Sequence, residues 1–328
     1  MLSYCPSLFS HTHCVVAYYV LHEIENPQVE MKLHRRYLES LDARSRIYIS
    51  HEGINAQMSL HIDDMKTYCD WIQERFPGVH IKVDGCNEHV FPRLCLKIRK
   101  QLVALDRQVD LSKGAQHLSP KEWAEYLDQD PKDWTMLDVR NHYEWKVGRF
   151  KRSEPVPCST FREFPSYIEQ WSKGKDKSKP LLMQCTGGIR CEFFSPLLRE
   201  LGFKQIYQLR GGSISYAHEV GDQHWEGALF VFDDRVVVPM ISDRECTPCS
   251  TCLGCNTPTY HYFNCANVEC NAWMLMCRSC YLERKGCCSP ECSQSPRVRA
   301  IDPESCNRPF RRLSPSSSVS VQCRDDVH

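Results

Sequence analysis

Pro180-Leu181-Leu182-Met183-Gln184-Cys185-Thr186-Gly187-Gly188-Ile189-Arg190 is the stretch from which the rest of the chain can be read. Its apolar start is short, lacks a helical period and runs into a turn signal, so it reads as a buried strand. A thiol at the carboxyl end of a parallel strand lies in the crevice where open α/β sheets hold their ligands. Gly187 and Gly188 let successive backbone N–H groups turn inward around the sulfur as an anion-binding nest. Thr186 and Ile189 complete the loop, and Arg190 adds a fixed positive charge. These features favour the thiolate, which is the nucleophilic form of cysteine. An ordinary buried thiol needs neither the two glycines nor the arginine.

Working outward, Leu197–Leu201 reads as helix and leads through Gly202 to the strand Gln205–Leu209 and then Gly211-Gly212. Upstream, Ser119 is a helix N-cap with Pro120 at the first helical position and Glu122 in the first turn. Thr135–Val139 is a further strand. Alternating strands and helices predict an α/β domain with a mainly parallel sheet. Pro196 falls inside the expected helix after the loop, which predicts a late start or a kink there. The cysteine-phosphatase loop is one residue longer and usually follows His. Here the spacing is Cys-x4-Arg after Gln184, so phosphatase chemistry is set aside.

The first hundred residues read differently. Strands at 14–21, 46–50, 55–60 and 79–83 and helices at about 25–42 and 62–76 follow the order β-α-β-β-α-β, with apolar sequence at 94–105 carrying the chain onward. That order predicts a ferredoxin-like, split βαβ domain. The expected organisation is therefore α+β followed by α/β. Residues 1–110 form the ferredoxin-like domain and 117–228 the α/β domain. Residues 229–292 form a cysteine-rich segment, and 293–328 a disordered tail rich in Arg, Ser and Pro.

The 328 residues carry 41 basic and 41 acidic side chains, so no global positive field advertises a polyanion partner. No window approaches 18 apolar residues, which predicts no membrane span. The start MLSYCPSLFSHTHC has no basic region ahead of an apolar one, and the expectation is a soluble cytoplasmic protein. Nothing in the sequence fixes an oligomeric state.

Of 21 cysteines, eleven fall between Cys246 and Cys292. Clustered Cys-x2-Cys knuckles point to metal, with structural zinc favoured over iron–sulfur or redox thiols. Cys249, Cys252, Cys277 and Cys280 make one plausible ligand set, and His261 is an alternative ligand. Cys191 can resolve a persulfide or disulfide on Cys185 or pack beneath the loop, and the sequence leaves both readings open.

Leu137-Asp138-Val139-Arg140, Glu144-Trp145, Gly148, the Cys185–Arg190 loop, Gly202-Phe203 and Leu209–Gly212 resemble the rhodanese domain in order and spacing. In that family the loop cysteine carries a persulfide, which implies the same capacity for Cys185. Asp138, Arg140 and Glu144 would then set the surroundings of the loop. Adding His51-Glu52-Gly53-Ile54-Asn55-Ala56, Cys191-Glu192, Phe230–Arg235 and the cysteine block, residues 14–292 resemble the bacterial tRNA uridine(34) hydroxylase family. The resemblance implies an acylphosphatase-like N-terminal domain before the rhodanese domain. It also implies an oxidoreductase that forms 5-hydroxyuridine at the tRNA wobble position, with molecular oxygen as co-substrate and Cys185 as the active residue. Phe193-Phe194 stand where that family commonly has Lys.

No flavin, haem or non-haem iron motif is evident, and the electron donor stays open. Arg93, Lys97, Arg99 and Lys100, and Arg297, Arg299, Arg308, Arg311 and Arg312 in the tail, are candidate phosphate contacts. Tyr143, Trp145 and Phe161 are candidate platforms for an unstacked base. The alternative reading is a thiosulfate or persulfide sulfurtransferase using the same thiol. A third is a zinc-stabilised scaffold with a vestigial rhodanese domain.

Overall fold

The computed structural model describes residues 2–129, 133–158, 160–242 and 244–301. Among them the chain forms two compact units. The first takes in residues up to His142, Phe150–His224 and the stretch from Met240. The second takes in Tyr143–Arg149, Trp225–Pro239 and the chain from Arg244.

The first unit holds two sheets. One is built from β1 (Leu2–Tyr4), β2 (His13–Leu21), β3 (Arg44–Ser50), β4 (Gly53–His61), β5 (Ile81–Cys86) and β6 (Leu94–Ile98), with α1 (Pro27–Ser40) and α2 (Ile62–Arg75) as its crossovers. Strand order is β1-β5-β2-β4-β3-β6. The inner four strands pair antiparallel in the split βαβ order, while β1 and β6 add parallel edges. Alternation along β4 puts Ile54, Ala56, Met58 and Leu60 wholly inside, against Leu38, Tyr68 and Ile72 of the helices. Helix α1 starts where Asn26 accepts from the N–H groups of Gln28 and Val29, with Pro27 at the first turn.

The edge strand β1 has no signal in the sequence. The apolar run from Leu94 is strand only through Ile98. Beyond it, Leu102, Val103 and Leu105 bury themselves in the core of the second sheet instead.

That sheet follows from β7 (Gln116–Leu118), α3 (Pro120–Asp128), β8 (Thr135–Asp138), β10 (Glu154–Pro155), α5 (Phe164–Trp171), β11 (Leu181–Gln184), α6 (Ile189–Glu200), β12 (Ile206–Leu209) and α7 (Gly212–Glu219), while α4 (His142–Val147) and β9 (Gly148–Phe150), between β8 and β10, fall largely in the second unit. Its order is β10-β8-β11-β12-β7, and every pairing is parallel. Central β11 is buried at all positions, with Leu181, Leu182 and Met183 apolar and Gln184 accepting from Ser213 Oγ at 2.8 Å. Ser119 and Glu122 form a reciprocal capping box at α3. Helix α6 starts directly after the loop and runs through Pro196, so the expected late start does not occur. The helix forgoes one backbone bond there, and its buried aromatic face holds it together.

The second unit has little regular structure. Short strands β13 (Trp225–Gly227), β14 (Leu229–Phe230), β15 (Val237–Val238), β16 (Tyr262–Asn264) and β17 (Trp273–Leu275) precede α8 (Arg278–Glu283) and α9 (Pro290–Ser293). Val147, Ala228, Phe230, Val236, Tyr262 and Leu275 make one small core, and cysteines interleave with the rest. A segment this poor in apolar mass needs cross-links to stay folded.

Candidate functional site

Cys185 follows the last residue of β11 and is fully buried. Its Sγ accepts the Gly188 N–H at 3.1 Å. The loop is fixed from behind by α7, whose Ser213 N donates to Cys185 O (2.9 Å) and Ile214 N to Thr186 O (3.1 Å). Pinning those carbonyls outward leaves the N–H groups facing the sulfur. Gly212 makes this approach possible, since a Cβ there would sit 2.4 Å from the Cys185 carbonyl oxygen. Gly188, with φ +101°, supplies the turn into α6. Arg190 Nη2 donates to Thr186 Oγ1 (3.0 Å), and its guanidinium lies over the Phe161 ring at 5.1 Å.

Burial alone would push the Cys185 thiol up. The Cys191 thiol hydrogen bond, the Arg190 charge and the backbone N–H groups of Cys191 and Gly188 outweigh it and bring the group down to about 5. Cys191 is also fully buried and moves the other way, raised by burial and by sharing its proton with Cys185. The pair thus favours the thiolate on Cys185 and the thiol on Cys191. Cys191 is buried in the same core as the loop, and its thiol hydrogen-bonds the Cys185 sulfur.

Asp138 pairs in register with Gln184, next to Cys185. It accepts from Arg140 Nε (2.8 Å) and Nη2 (2.6 Å), an ion pair with no exposed side-chain surface. Glu144 is fully buried on α4 and belongs to the second unit. Phe161 stands beside Arg190, whereas Tyr143 packs against Phe230 and Trp273 in the core of the second unit, and Trp145 stacks under Arg149. Phe193 and Phe194 are buried, with Phe194 stacked on Phe164 at 3.7 Å. The pair therefore fills core where lysine was the expected type.

Sequence reasoning missed the contribution of the N-terminal sheet. Tyr19 of β2 donates to Glu192 Oε1 at 2.7 Å, and His117 Nε2 lies 2.9 Å from the same oxygen. Burial would raise the Glu192 carboxyl, but bonds from His117, Tyr19 and Gln208 hold it below its usual range. Lys82 Nζ of β5 donates to Gly187 O at 3.1 Å. The one available signal was a lysine inside the apolar strand Val79–Val83.

In the second unit two groups of thiols converge, Cys252 with Cys255, Cys277 and Cys280, and Cys265 with Cys270, Cys288 and Cys292. Cys252, Cys277 and Cys280 belong to the expected set, but Cys255 takes the place given to Cys249. The Cys249 sulfur instead lies against the carbonyls of Lys146 and Val147, at 3.6 and 3.4 Å. His261 lies outside both groups. Sulfur–sulfur distances are 3.7 Å (Cys255–Cys277), 3.6 Å (Cys270–Cys288) and 3.5 Å (Cys288–Cys292). Four thiolates about 2.3 Å from one tetrahedral zinc stand about 3.8 Å apart, so the donor sets fit such an ion. Cys252 Sγ further accepts the Gly254 and Cys277 N–H groups at 3.2 Å each, a backbone cradle for a ligating thiolate. The ligand pairs alternate along the chain, so the two clusters brace each other across the segment.

Arg99 stacks over Tyr48 at 4.9 Å, Arg297 pairs with Glu269, and Arg299 donates to the carbonyls of Cys265 and Ala266. Arg308, Arg311 and Arg312, like most of the expected tail, lie outside the described residues. Among those residues no helix is long and apolar enough to cross a membrane.

Three family models match the chain: a UPF0176 acylphosphatase like domain at 13–102, a rhodanese-like domain at 119–219 and a rhodanase C-terminal segment at 226–293. The chain is 48% identical to a tRNA uridine(34) hydroxylase of Chlamydia pneumoniae, over 90% of this chain and 92% of that one. It is 48% identical to its namesake in Chlamydia abortus (91% and 92%) and 45% identical to that of Chlamydia trachomatis (94% and 95%). A solved rhodanese-like domain from Anabaena sp. matches at 20% identity, over 34% of this chain and 78% of that one, with a TM-score of 0.29.

Proposed function

The chain belongs to the tRNA uridine(34) hydroxylase family, and on that premise we propose that it hydroxylates carbon 5 of uridine 34 in tRNA, with Cys185 as the residue on which the chemistry turns. The observation that carries this reading is the buried Cys185 sulfur, which accepts the Gly188 N–H at 3.1 Å in a loop whose Cys191 thiol and Arg190 charge pull its proton affinity down. Thiolate addition to uracil carbon 6 makes carbon 5 nucleophilic towards an oxygen donor. Loss of the carbon 5 proton and expulsion of the thiolate then restore the ring. Molecular oxygen is the co-substrate, and the two electrons that reduce its second atom to water come from a donor outside the chain. Arg190 and the N–H ring hold the sulfur as an anion before addition and after release. A tRNA substrate supports a cytoplasmic protein.

Both thiol clusters are read as structural zinc sites. Cys252, Cys255, Cys277 and Cys280 would hold one ion and Cys265, Cys270, Cys288 and Cys292 the other; four thiolates would close each site, so the metal would supply folding energy and leave no open position for substrate.

The test is nucleoside mass spectrometry of tRNA from cells lacking this protein, complemented with wild type or Cys185→Ala. Restoration of 5-hydroxyuridine by wild type alone supports the reading. No change in that nucleoside with either, together with rapid cyanide-dependent thiocyanate release by the purified protein, replaces it with sulfur transfer through a Cys185 persulfide.

A further inference from the structure

We propose that the N-terminal domain is part of the reactive site, and that its Lys82 is a positioning residue that fixes the Cys185 loop and supplies the sulfur with a second positive charge. The proposal rests on Cys185 being the reactive thiol, but its test needs no hydroxylase turnover.

Lys82 is 2% exposed, in a strand buried on both sides of it by Ile81 and Val83. Burying an ammonium is costly unless something gains from its charge. Its hydrogen bond goes to the Gly187 carbonyl at 3.1 Å, two residues beyond the reactive cysteine, and its Nζ lies 5.5 Å from the Tyr19 ring centre. Holding that carbonyl away from the sulfur keeps the Gly188 N–H turned towards it. Asp84 of the same strand pairs with His218 Nε2 at 2.8 Å, while the Lys82 hydrogen bond goes to the loop carbonyl. The domain thus spends a buried cation on a loop that belongs to another sheet.

The electrostatics agree. Burial draws the Lys82 ammonium down to about 8, against the opposing pull of the Cys185 thiolate and Asp84. Coupling between two charges is reciprocal, so a thiolate that holds the proton on Lys82 is itself favoured by Lys82. The groups facing the sulfur are then Arg190 and Cys191 from α6, Lys82 from β5 and Tyr19 from β2. The thiolate on Cys185 and the ammonium on Lys82 thus favour each other.

Peptide-resolved iodoacetamide labelling of Cys185 against pH, in the full chain, reads this directly. Lys82→Met is expected to raise the labelling midpoint by about one unit, a tenfold loss of thiolate below it. Lys66→Met, which removes an exposed charge of α2 in the same domain, leaves the midpoint in place. A folded Lys82→Met protein with the wild-type midpoint overturns the proposal. Should that variant not fold, the coupling is measured from the other side. Acetylation of Lys82 in Cys185→Ser is expected to show a lower midpoint than in wild type, and an unchanged one overturns the proposal equally.

Discussion

Cysteine is put to opposite uses in the two halves of this molecule. In the first unit the Cys185 sulfur draws on backbone N–H groups, the Arg190 charge and a neighbouring thiol, each of which favours its anion. In the second, eight thiols face one another in two groups of four, at the spacing a metal ion sets. Local surroundings decide which chemistry results. Donors aimed at one sulfur make a nucleophile, whereas sulfurs aimed at each other make a ligand cage.

Substitutions sharpen that contrast, beginning with the largest effect. Cys185→Ala should abolish 5-hydroxyuridine formation, a loss of at least about a thousandfold, while circular dichroism and metal content stay at wild type. Cys288→Ala should release one metal equivalent and unfold the second unit, read by hydrogen exchange, because the clusters brace the same segment. Stripping metal with a chelator should do the same to both clusters and leave the sheets of the first unit protected. If the second unit stays protected after the metal is gone, the cage reading fails.

Smaller effects separate loop geometry from loop chemistry. Gly212→Ala places a methyl against the carbonyls of Cys185 and Thr186. Strain of this kind costs on the order of 1–3 kcal/mol. It should lower thermal stability and turn the loop N–H groups from the sulfur, raising the Cys185 labelling midpoint. Cys249→Ser should be nearly silent, within about 0.5 kcal/mol and with full metal content, as expected for a thiol outside both cages. Metal loss in that variant would return Cys249 to the ligand set.

What the sequence disclosed and what it hid follow the same division. The loop was legible because all its parts, from Cys185 to Arg190, are consecutive. Ser119 with Pro120 and Glu122 marked α3 for the same reason. Lys82, Tyr19 and His117 were not legible, since each reaches the site across tertiary distance and carries no motif of its own. The cysteine block announced metal but not its pairing. Cys246, Cys249, Cys252 and Cys255 share one spacing, and only folding shows that Cys249 turns towards α4 while Cys255 enters the cage. Phe193-Phe194 showed in the sequence only as a departure from the family's usual Lys, and burial with Phe194 stacked on Phe164 shows both rings in the core.

One measurement tests the central contrast directly: alkylation of every cysteine in the intact protein, resolved by peptide, as pH is raised. The account predicts that Cys185 labels with a midpoint near pH 5, while the eight cluster thiols stay unlabelled until metal is removed. A Cys185 midpoint at the ordinary thiol value, with cluster cysteines labelling freely in the untreated protein, would contradict it.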